Sequence, residues 1–259
     1  MESQLTVTAL QTSLFWQDKK KNLAHLEEQF AVLPSTDLVV LPEMFTTGFT
    51  MEAETYAEVM NGLTIQWMQL WAKKLDAALC GSTIIREEGN IHNRFLFVAP
   101  SGEVQYYDKR HTFTLAGEHK AYARGQNDGI ISYKDWKICL RVCYDLRFPV
   151  WGRNTVDYDL IIYTANWPHK RIHAWDTLLT ARAIENMSYC IGVNRIGTDG
   201  SALVYPGHTA IYDFLGEQLG GTTENESGQT TVELDKNKQH LARTKLNFLN
   251  DRDRFVIQS

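Results

Sequence analysis

The chain has 259 residues and a formal net charge of -5; 44% of its residues are hydrophobic, 11% aromatic and 22% charged. This composition is typical of a globular protein with a sizeable core. The only basic run of its length, Lys19-Lys20-Lys21, is too short to indicate a nucleic-acid surface. No apolar run reaches the roughly 18 residues that a membrane span requires. We therefore expect neither nucleic acid nor membrane as a partner.

The first residues lack the basic segment of a secretory signal and lead directly into a predicted strand, so we expect no signal peptide. Cysteines are too few in a chain of this length to suggest a disulfide scaffold. Each lies in or at the end of an apolar, strand-like run: Cys80, Cys139, Cys143 and Cys190. These features favour a cytoplasmic protein with reduced thiols.

Hydrophobic periodicity divides the chain into alternating strands and helices. The first part is predicted to contain strand 5–12, helix 19–33, strand 38–42, a helix through Ile65, Met68, Ala72 and Leu75, and strand 78–85. Two hairpins follow, 94–99 with 103–107 and 130–133 with 137–142, on either side of a polar loop over 110–128. The last part contains strand 160–165, a helix from Trp175 to near Asn186, and strands 189–194, 209–212 and 230–234.

This order mixes crossover units with antiparallel additions, which predicts an α/β fold with mixed sheets and outer helices. Two sheets packed face to face would accommodate so many strands. No linker, repeat or low-complexity segment divides the chain, so we expect one domain over residues 1–259. The charged, weakly periodic tail over 247–259 is predicted to lie on a partner subunit.

Cys143 follows the apolar run Ile138–Val142, which predicts the end of a buried strand, and Pro149 opens a predicted helix. A thiol placed there gains from the helix dipole, which favours the thiolate, and from the Tyr144 N–H, which can bind an anion. These are the needs of a nucleophile and an oxyanion hole. Free cysteines are also often simply buried apolar residues, so both interpretations are open for this stretch alone.

Other polar side chains share this placement after a buried strand: Glu43, Lys109 and Asn166-Trp167. In α/β sheets that edge is where ligands bind. Glu43 would be the general base for the thiol and then for water, and Lys109 would favour the thiolate and stabilise an oxyanion. Cys143 would attack a carbonyl or nitrile carbon and carry a covalent intermediate. Taken alone, Glu43 could be a helix-capping or salt-bridged carboxylate, and Lys109 could be a surface charge in a turn. The three residues together favour catalysis.

Three segments resemble the signature blocks of the nitrilase superfamily of carbon–nitrogen hydrolases. They are LPEMF at 41–45, YDKRH at 107–111 and VCYDLRFP at 142–149. Their order and approximate spacing match the family, residues 180–186 resemble its helix before a late strand, and the similarity spans roughly 5–235. Segments 42–49 and 165–168 resemble the bacterial omega-amidases in particular.

The resemblance implies a four-layer α-β-β-α sandwich with two mixed sheets, commonly dimerised, that needs no metal and no organic cofactor. It implies a catalytic triad of Glu43, Lys109 and Cys143, with Glu118 as a second glutamate that orients the substrate and Lys109. The implied reaction is hydrolysis of the terminal amide of a small keto-acid monoamide, alpha-ketoglutaramate or alpha-ketosuccinamate, through a Cys143 thioester.

Such substrates carry a carboxylate, so a cationic anchor is expected in the pocket. Arg147 corresponds in position to a carboxylate-binding arginine of related carbamoylases, although an arginine near a helix often forms a structural salt bridge instead. Trp167, Phe113 and Tyr144 are the other predicted substrate contacts; core packing is the common alternative for aromatic side chains.

Other functions remain open at this point. A nitrilase, aliphatic amidase or N-carbamoyl amidohydrolase would use the same chemistry in a different pocket. A Cys–His hydrolase would draw on one of the histidines at positions 111, 119, 173 and 208, and a non-catalytic metabolite-binding protein would use the pocket alone. Cys139 and Cys143 could serve a redox or zinc role, but no further ligands lie near them in sequence.

Overall fold

The computed structural model describes residues 3–257. Met1, Glu2 and the last two residues of the predicted tail, 258–259, lie outside the described residues. In chain order the strands are β1 (Gln4–Gln11), β2 (Leu38–Val40), β3 (Ala78–Glu87), β4 (Asn90–Val98), β5 (Val104–Asp108), β6 (Ile130–Tyr133), β7 (Trp136–Val142), β8 (Leu160–Ala165), β9 (Tyr189–Asn194), β10 (Ile196–Thr198), β11 (Val204–Pro206), β12 (Ala210–Tyr212), β13 (Gln218–Gly221) and β14 (Gly228–Asp235). The helices are α1 (Lys19–Phe30), α2 (Ala53–Tyr56), α3 (Leu63–Leu75), α4 (Glu118–Ala121), α5 (Pro149–Gly152), α6 (Ile172–Asn186) and α7 (Lys236–Leu246).

Within residues 3–257 the strands form two six-stranded mixed sheets and a separate hairpin of β10 and β11. The first sheet has the order β14-β1-β2-β3-β4-β5, with parallel pairs at its centre and antiparallel pairs at both sides. The second sheet has the order β13-β12-β9-β8-β7-β6 and repeats that plan around parallel β7, β8 and β9. Each sheet therefore gathers the carboxyl ends of its parallel strands at one edge.

Alternation along the strands assigns each residue to a layer. In β2, Leu38 and Val40 belong to the core between the two sheets, whereas Val39 packs with α1 and α3 on the outer face. In the second sheet Ile162 faces inward, and Ile161 packs under α6. Helices cover the outer face of both sheets, which confirms the predicted four-layer α-β-β-α sandwich.

Most predicted elements are present with shifted ends. β3 and β4 form a hairpin with a tight turn at Glu88 and Gly89, both with positive φ. Both strands therefore reach closer to this turn than the predicted strands 78–85 and 94–99. The loop over 110–128 contains a 3-10 turn and α4. The helix predicted from Pro149 is only four residues long and follows a 3-10 turn, Cys143–Arg147.

The prediction missed α7, which carries few apolar side chains. Its first turn is capped by Asp235, whose carboxylate accepts hydrogen bonds from the N–H groups of Asn237 and Lys238. Gln239 and Arg243 then dock it by donating to the backbone carbonyls of residues just before β8 and β9: Tyr158, Asp159 and Met187. Among the described residues, none of the helices combines the length and apolar composition needed to cross a membrane.

Candidate active site

The polar residues predicted at strand ends meet across the two sheets. Thr164 of β8 donates a hydrogen bond to the Leu41 carbonyl over 2.9 Å, which ties the end of β8 to the segment after β2. The Asn166 N–H donates to Glu43 Oε2 at 2.8 Å, and Asn166 Nδ2 donates to the Glu43 carbonyl at 2.7 Å. The segment after β8 of the second sheet therefore fixes the carboxylate of Glu43, which follows β2 of the first sheet.

Lys109 joins two carboxylates in the buried centre of the site. Its Nζ lies 2.9 Å from Glu43 Oε1 and 2.9 Å from Glu118 Oε1, and all three side chains are buried. Glu118 Oε2 accepts a further hydrogen bond from the Phe113 N–H. The structure thus brings together the three charged residues that the sequence singled out, one of them from the otherwise unassigned loop.

The two carboxylates keep Lys109 in its ammonium form. Burial disfavours the ammonium form of Lys109, but Glu118 and Glu43 outweigh burial and raise its pKa. Burial raises the pKa of Glu118, with Lys109 opposing the shift and Glu43 adding to it. Separating the lysine from its carboxylates would leave uncompensated buried charge, which typically costs about 3–5 kcal/mol.

Cys143 is the first residue after β7 and has a positive φ of 43°. Such backbone geometry is costly for a non-glycine residue and is common at functional sites. Met44, next to Glu43, is in the same region with a φ of 44°. The Tyr144 N–H lies in the first turn of a 3-10 helix, where N–H groups lack an intrahelical acceptor.

Lys109 favours the thiolate of Cys143, as expected, but it does not set the net direction of the pKa shift. Burial and the Glu43 carboxylate hold the pKa of the Cys143 thiol well above its usual range, and the opposing effect of Lys109 is smaller. A five-residue 3-10 turn supplies little dipole. The resting thiol is therefore protonated and needs a base when it reacts.

A buried carboxylate, Asp145, shapes the turn around the nucleophile. It accepts hydrogen bonds from the N–H of Val142 at 3.0 Å, the Tyr107 hydroxyl at 2.8 Å, and both the N–H and the Nδ1 of His111, at 3.0 and 2.7 Å. The His111 ring also stacks on Phe148, with 3.8 Å between centroids. The two signature segments 107–111 and 142–149 are thereby joined through one side chain.

A cavity of about 430 Å³ opens onto Cys143 and Lys109. All four predicted substrate contacts line it: Phe113, Tyr144, Arg147 and Trp167. Phe113 and Tyr144 pack edge to face with ring centroids 4.9 Å apart, and the Arg147 guanidinium lies 5.0 Å from the Trp167 ring centroid. The wall is thus aromatic, with cationic groups held against it.

The sequence interpretation did not identify Asn93 or Arg171, and it did not predict the hydrogen bonds from Asn166 to Glu43. Asn93 is buried in β4, and its Nδ2 donates to Glu43 Oε1 at 2.8 Å and to Glu118 Oε1 at 3.3 Å. Arg171 lines the cavity from the turn before α6. Pairing β4 with β5 would have placed Asn93 beside Lys109, because the Lys109 N–H donates to the Asn93 carbonyl.

Histidine does not contribute to the cavity wall in the part of the chain that the structure describes. His111 is engaged by Asp145, and His208 lies 3.0 Å from Asp176 on α6. Cys139 is buried in the core below α6, where burial raises its pKa to about 11. In residues 3–257 no group of three His, Cys, Asp or Glu side chains is arranged to hold a metal ion.

The sequence model of the carbon–nitrogen hydrolase family matches residues 6–243. The chain therefore belongs to that family, which confirms the predicted resemblance and the predicted enzyme class, a carbon–nitrogen hydrolase of the amidohydrolase type.

Individual relatives are similar over three quarters of the chain or more. The chain is 41% identical over 255 residues to omega-amidase YafV of Yersinia enterocolitica, covering 98% of this chain and 99% of that protein. It is 32% identical over 206 residues to the 2-oxoglutaramate amidase of Bacillus subtilis, covering 77% and 78%. The crystal structure of XC1258 from Xanthomonas campestris, a CN-hydrolase superfamily protein with an arsenic adduct in its active site, superposes with a TM-score of 0.95 at 39% identity, covering 98% and 99%.

Proposed function

We propose that this enzyme hydrolyses the terminal amide of a small keto-acid monoamide, alpha-ketoglutaramate or alpha-ketosuccinamate, to the acid and ammonia. The observation that carries the proposal is one cavity that holds both Cys143, beside the Lys109 cluster, and the Arg147 guanidinium. A nucleophile at one place and a cation at another fit a substrate with an amide at one end and a carboxylate at the other. The names of the Yersinia and Bacillus relatives support this choice.

The first half of the proposed mechanism forms a thioester. Glu43 accepts the Cys143 proton as the sulfur attacks the amide carbon, which fits a thiol whose raised pKa keeps it protonated at rest. The developing oxyanion is stabilised by the Lys109 ammonium and the Tyr144 N–H. The proton on Glu43 then passes to the amide nitrogen, the carbon–nitrogen bond breaks, and ammonia leaves.

The second half hydrolyses the thioester. Glu43, again a carboxylate, accepts a proton from water while the water oxygen attacks the thioester carbon. The carbon–sulfur bond breaks, the thiolate regains the proton and the acid is released. Glu118 keeps Lys109 in place during both halves, because Lys109 is shared between the two carboxylates.

Substrate recognition is assigned to the arginine and aromatic side chains of the cavity wall. Arg147 binds the substrate carboxylate, and its stacking on Trp167 limits the freedom of a long side chain, so less entropy is lost on binding. Phe113 and Tyr144 enclose the carbon chain between the amide and the carboxylate.

An ammonia-release assay tests this function. Alpha-ketoglutaramate, alpha-ketosuccinamate, glutamine, an aliphatic nitrile and an N-carbamoyl amino acid are compared by kcat/KM. We expect a keto-acid monoamide to be the best substrate; preferential turnover of the nitrile or the carbamoyl compound would reject the proposal. Cys143→Ala should abolish turnover, with Cys190→Ala, which alters another buried thiol, as the matched control.

A Cys–His mechanism is tested separately. We expect Glu43→Gln to lose nearly all activity while His208→Ala, outside the cavity, keeps it. Full activity in Glu43→Gln together with loss in a histidine variant would reject the Glu43-Lys109-Cys143 triad.

We also propose that the chain is one domain that works in the cytoplasm as a homodimer. Apolar side chains near the end of the described chain support the dimer, since Phe255, Val256 and Ile257 are all exposed in the single chain. Sedimentation of the full chain and of a variant with Val256→Asp tests this: a dimer that Val256→Asp weakens is expected, and a monomeric full chain would contradict it.

A further inference from the structure

A second arginine, Arg171, lines the same cavity as Cys143 and Arg147. It lies in the short turn between β8 and α6, is half-buried, and its guanidinium is 5.2 Å from the centroid of the Phe113 ring. The backbone of Arg171 is held as well, because the Trp167 indole N–H donates to the Arg171 carbonyl over 2.8 Å.

Both arginines contact Trp167. Arg147 stacks on Trp167, and Trp167 in turn holds the backbone of Arg171. Both arginines therefore line the same cavity, with the Arg147 guanidinium beside Trp167 and the Arg171 guanidinium beside Phe113.

In the part of the chain that the structure describes, neither guanidinium has a carboxylate partner. Within residues 3–257, Arg147 and Arg171 form no ion pair, and neither side chain donates a hydrogen bond to the protein. This distinguishes them from the arginines that brace the fold, such as Arg94, which is bonded to Asp108 and Glu87. Two acidic residues, Glu52 and Asp199, also line the cavity. The Glu52 carboxylate accepts from Gln17 Nε2, and the Asp199 carboxylate accepts from Ser201, Leu203 and Tyr205.

Two cations that line one cavity are both stabilised by an anion that binds there. Guanidinium groups have a planar fork of N–H donors that suits a carboxylate, and stacking on an aromatic ring leaves this fork available. A pair of arginines favours an anionic substrate over a neutral one. It also favours an anionic substrate over one that carries an ammonium group beside its carboxylate.

We propose that Arg171 is a substrate-binding residue that holds the distal carboxylate of the amide substrate jointly with Arg147. The proposal rests on the proposed function, from which it takes the carboxylate, and adds Arg171 as a determinant of specificity. It assigns the enzyme to anionic monoamides and disfavours glutamine, whose α-ammonium would lie within the field of both guanidiniums.

The test compares two amides of equal chain length by steady-state kinetics. Alpha-ketoglutaramate carries the carboxylate, and pentanamide ends in a methyl group instead. For Arg171→Met we expect kcat/KM for alpha-ketoglutaramate to fall about tenfold to a hundredfold, the range for a lost hydrogen bond to a charged group, mainly through KM. For pentanamide the change should stay within about threefold, and Arg171→Lys should recover part of the loss.

Lys170→Met is the matched control, because it removes the same charge one residue earlier from an exposed side chain that does not line the cavity. We expect it to match the wild type on both substrates. An equal loss on both amides in Arg171→Met would indicate a structural role and overturn the proposal, as would no loss on either. If Arg171→Met does not fold, Arg171→Gln and Arg171→Lys carry the same comparison.

A double-mutant cycle tests the shared carboxylate. If Arg147 and Arg171 hold one group, the loss in Arg147→Met/Arg171→Met should differ from the product of the single losses by more than about threefold. Independent losses would refute joint binding. Failure of the wild type to hydrolyse alpha-ketoglutaramate would instead reject the proposed function, so the two failures are distinguishable.

Discussion

Asp145→Asn should destabilise the protein strongly, because both carboxylate oxygens of Asp145 are fully used as acceptors. One oxygen accepts from the N–H and the Nδ1 of His111, and the other accepts from the Tyr107 hydroxyl and the Val142 N–H. An asparagine keeps one oxygen and replaces the other with an NH₂ group, which cannot accept. With the NH₂ group toward Tyr107 and Val142, two buried donors lose their acceptor. With the NH₂ group toward His111, the His111 N–H loses its acceptor and the ring must change tautomer so that Nδ1 accepts.

Tyr107 cannot rescue the variant by reversing its hydrogen bond. Its hydroxyl oxygen already accepts from the Arg110 N–H at 3.1 Å and the Trp151 indole N–H at 2.9 Å. One or two hydrogen bonds to a charged group are therefore lost, at about 1.5–3 kcal/mol each, which gives about 1.5–6 kcal/mol in total. Domains are stable by roughly 5–15 kcal/mol, so the loss is readily measured.

The pH dependence gives a second readout. Burial alone would raise the pKa of Asp145, but the hydrogen bond and charge of His111, together with the Val142 N–H, lower it below the usual 3.8. A carboxylate with a lowered pKa stabilises the fold above its unfolded pKa, and this contribution disappears as the pH falls through the folded pKa. The difference between wild type and variant should thus be full at pH 7 and shrink below about pH 3.8.

Urea unfolding followed by tryptophan fluorescence measures the difference. Asp213→Asn is the matched control: its Oδ1 accepts both hydrogen bonds, from Leu215 and Glu217, so the amide oxygen can keep them. We expect the control to lose less than about 1 kcal/mol. A loss below 1 kcal/mol in Asp145→Asn at pH 7 would refute the role given to this carboxylate.

Three further predictions concern the catalytic cluster. Asn93→Ala should lower kcat about tenfold or more with little change in KM, since the Glu43 carboxylate loses a buried donor; an unchanged kcat would contradict this. Gly125→Ala should destabilise the protein by about 1–3 kcal/mol in urea unfolding, because its Cβ would lie 1.9 Å from the Asp108 carbonyl oxygen. Alkylation of Cys143 by iodoacetamide should still accelerate above pH 9, because its thiol pKa is raised; a plateau near pH 8 would argue for a thiolate at rest.

The sequence predicted those features that depend on local pattern. Strand and helix periods located both sheets, and polar residues directly after buried strands identified Glu43, Lys109 and Cys143. Parallel strands place such residues at one edge regardless of the distance between them in the chain. The motif resemblance then added Glu118, which has no periodic signal in its loop.

Features that depend on register and distant contacts were not predictable in this way. Asn93 lies in an apolar strand and resembles an ordinary polar strand residue until β4 is paired with β5. The raised pKa of Cys143 was not predictable because it comes first from burial and then from Glu43, which is 100 residues away in sequence. Arg171 joins the cavity through the turn after β8, which has no distinctive sequence pattern.

Rapid quenching of turnover, followed by mass spectrometry of the digested protein, tests the thioester mechanism most directly. With alpha-ketoglutaramate as substrate, the peptide that contains Cys143 should carry one alpha-ketoglutaryl group, and Cys143→Ala should show no adduct and release no ammonia. An acyl group on any other residue, or ammonia release by Cys143→Ala at the wild-type rate, would contradict the mechanism.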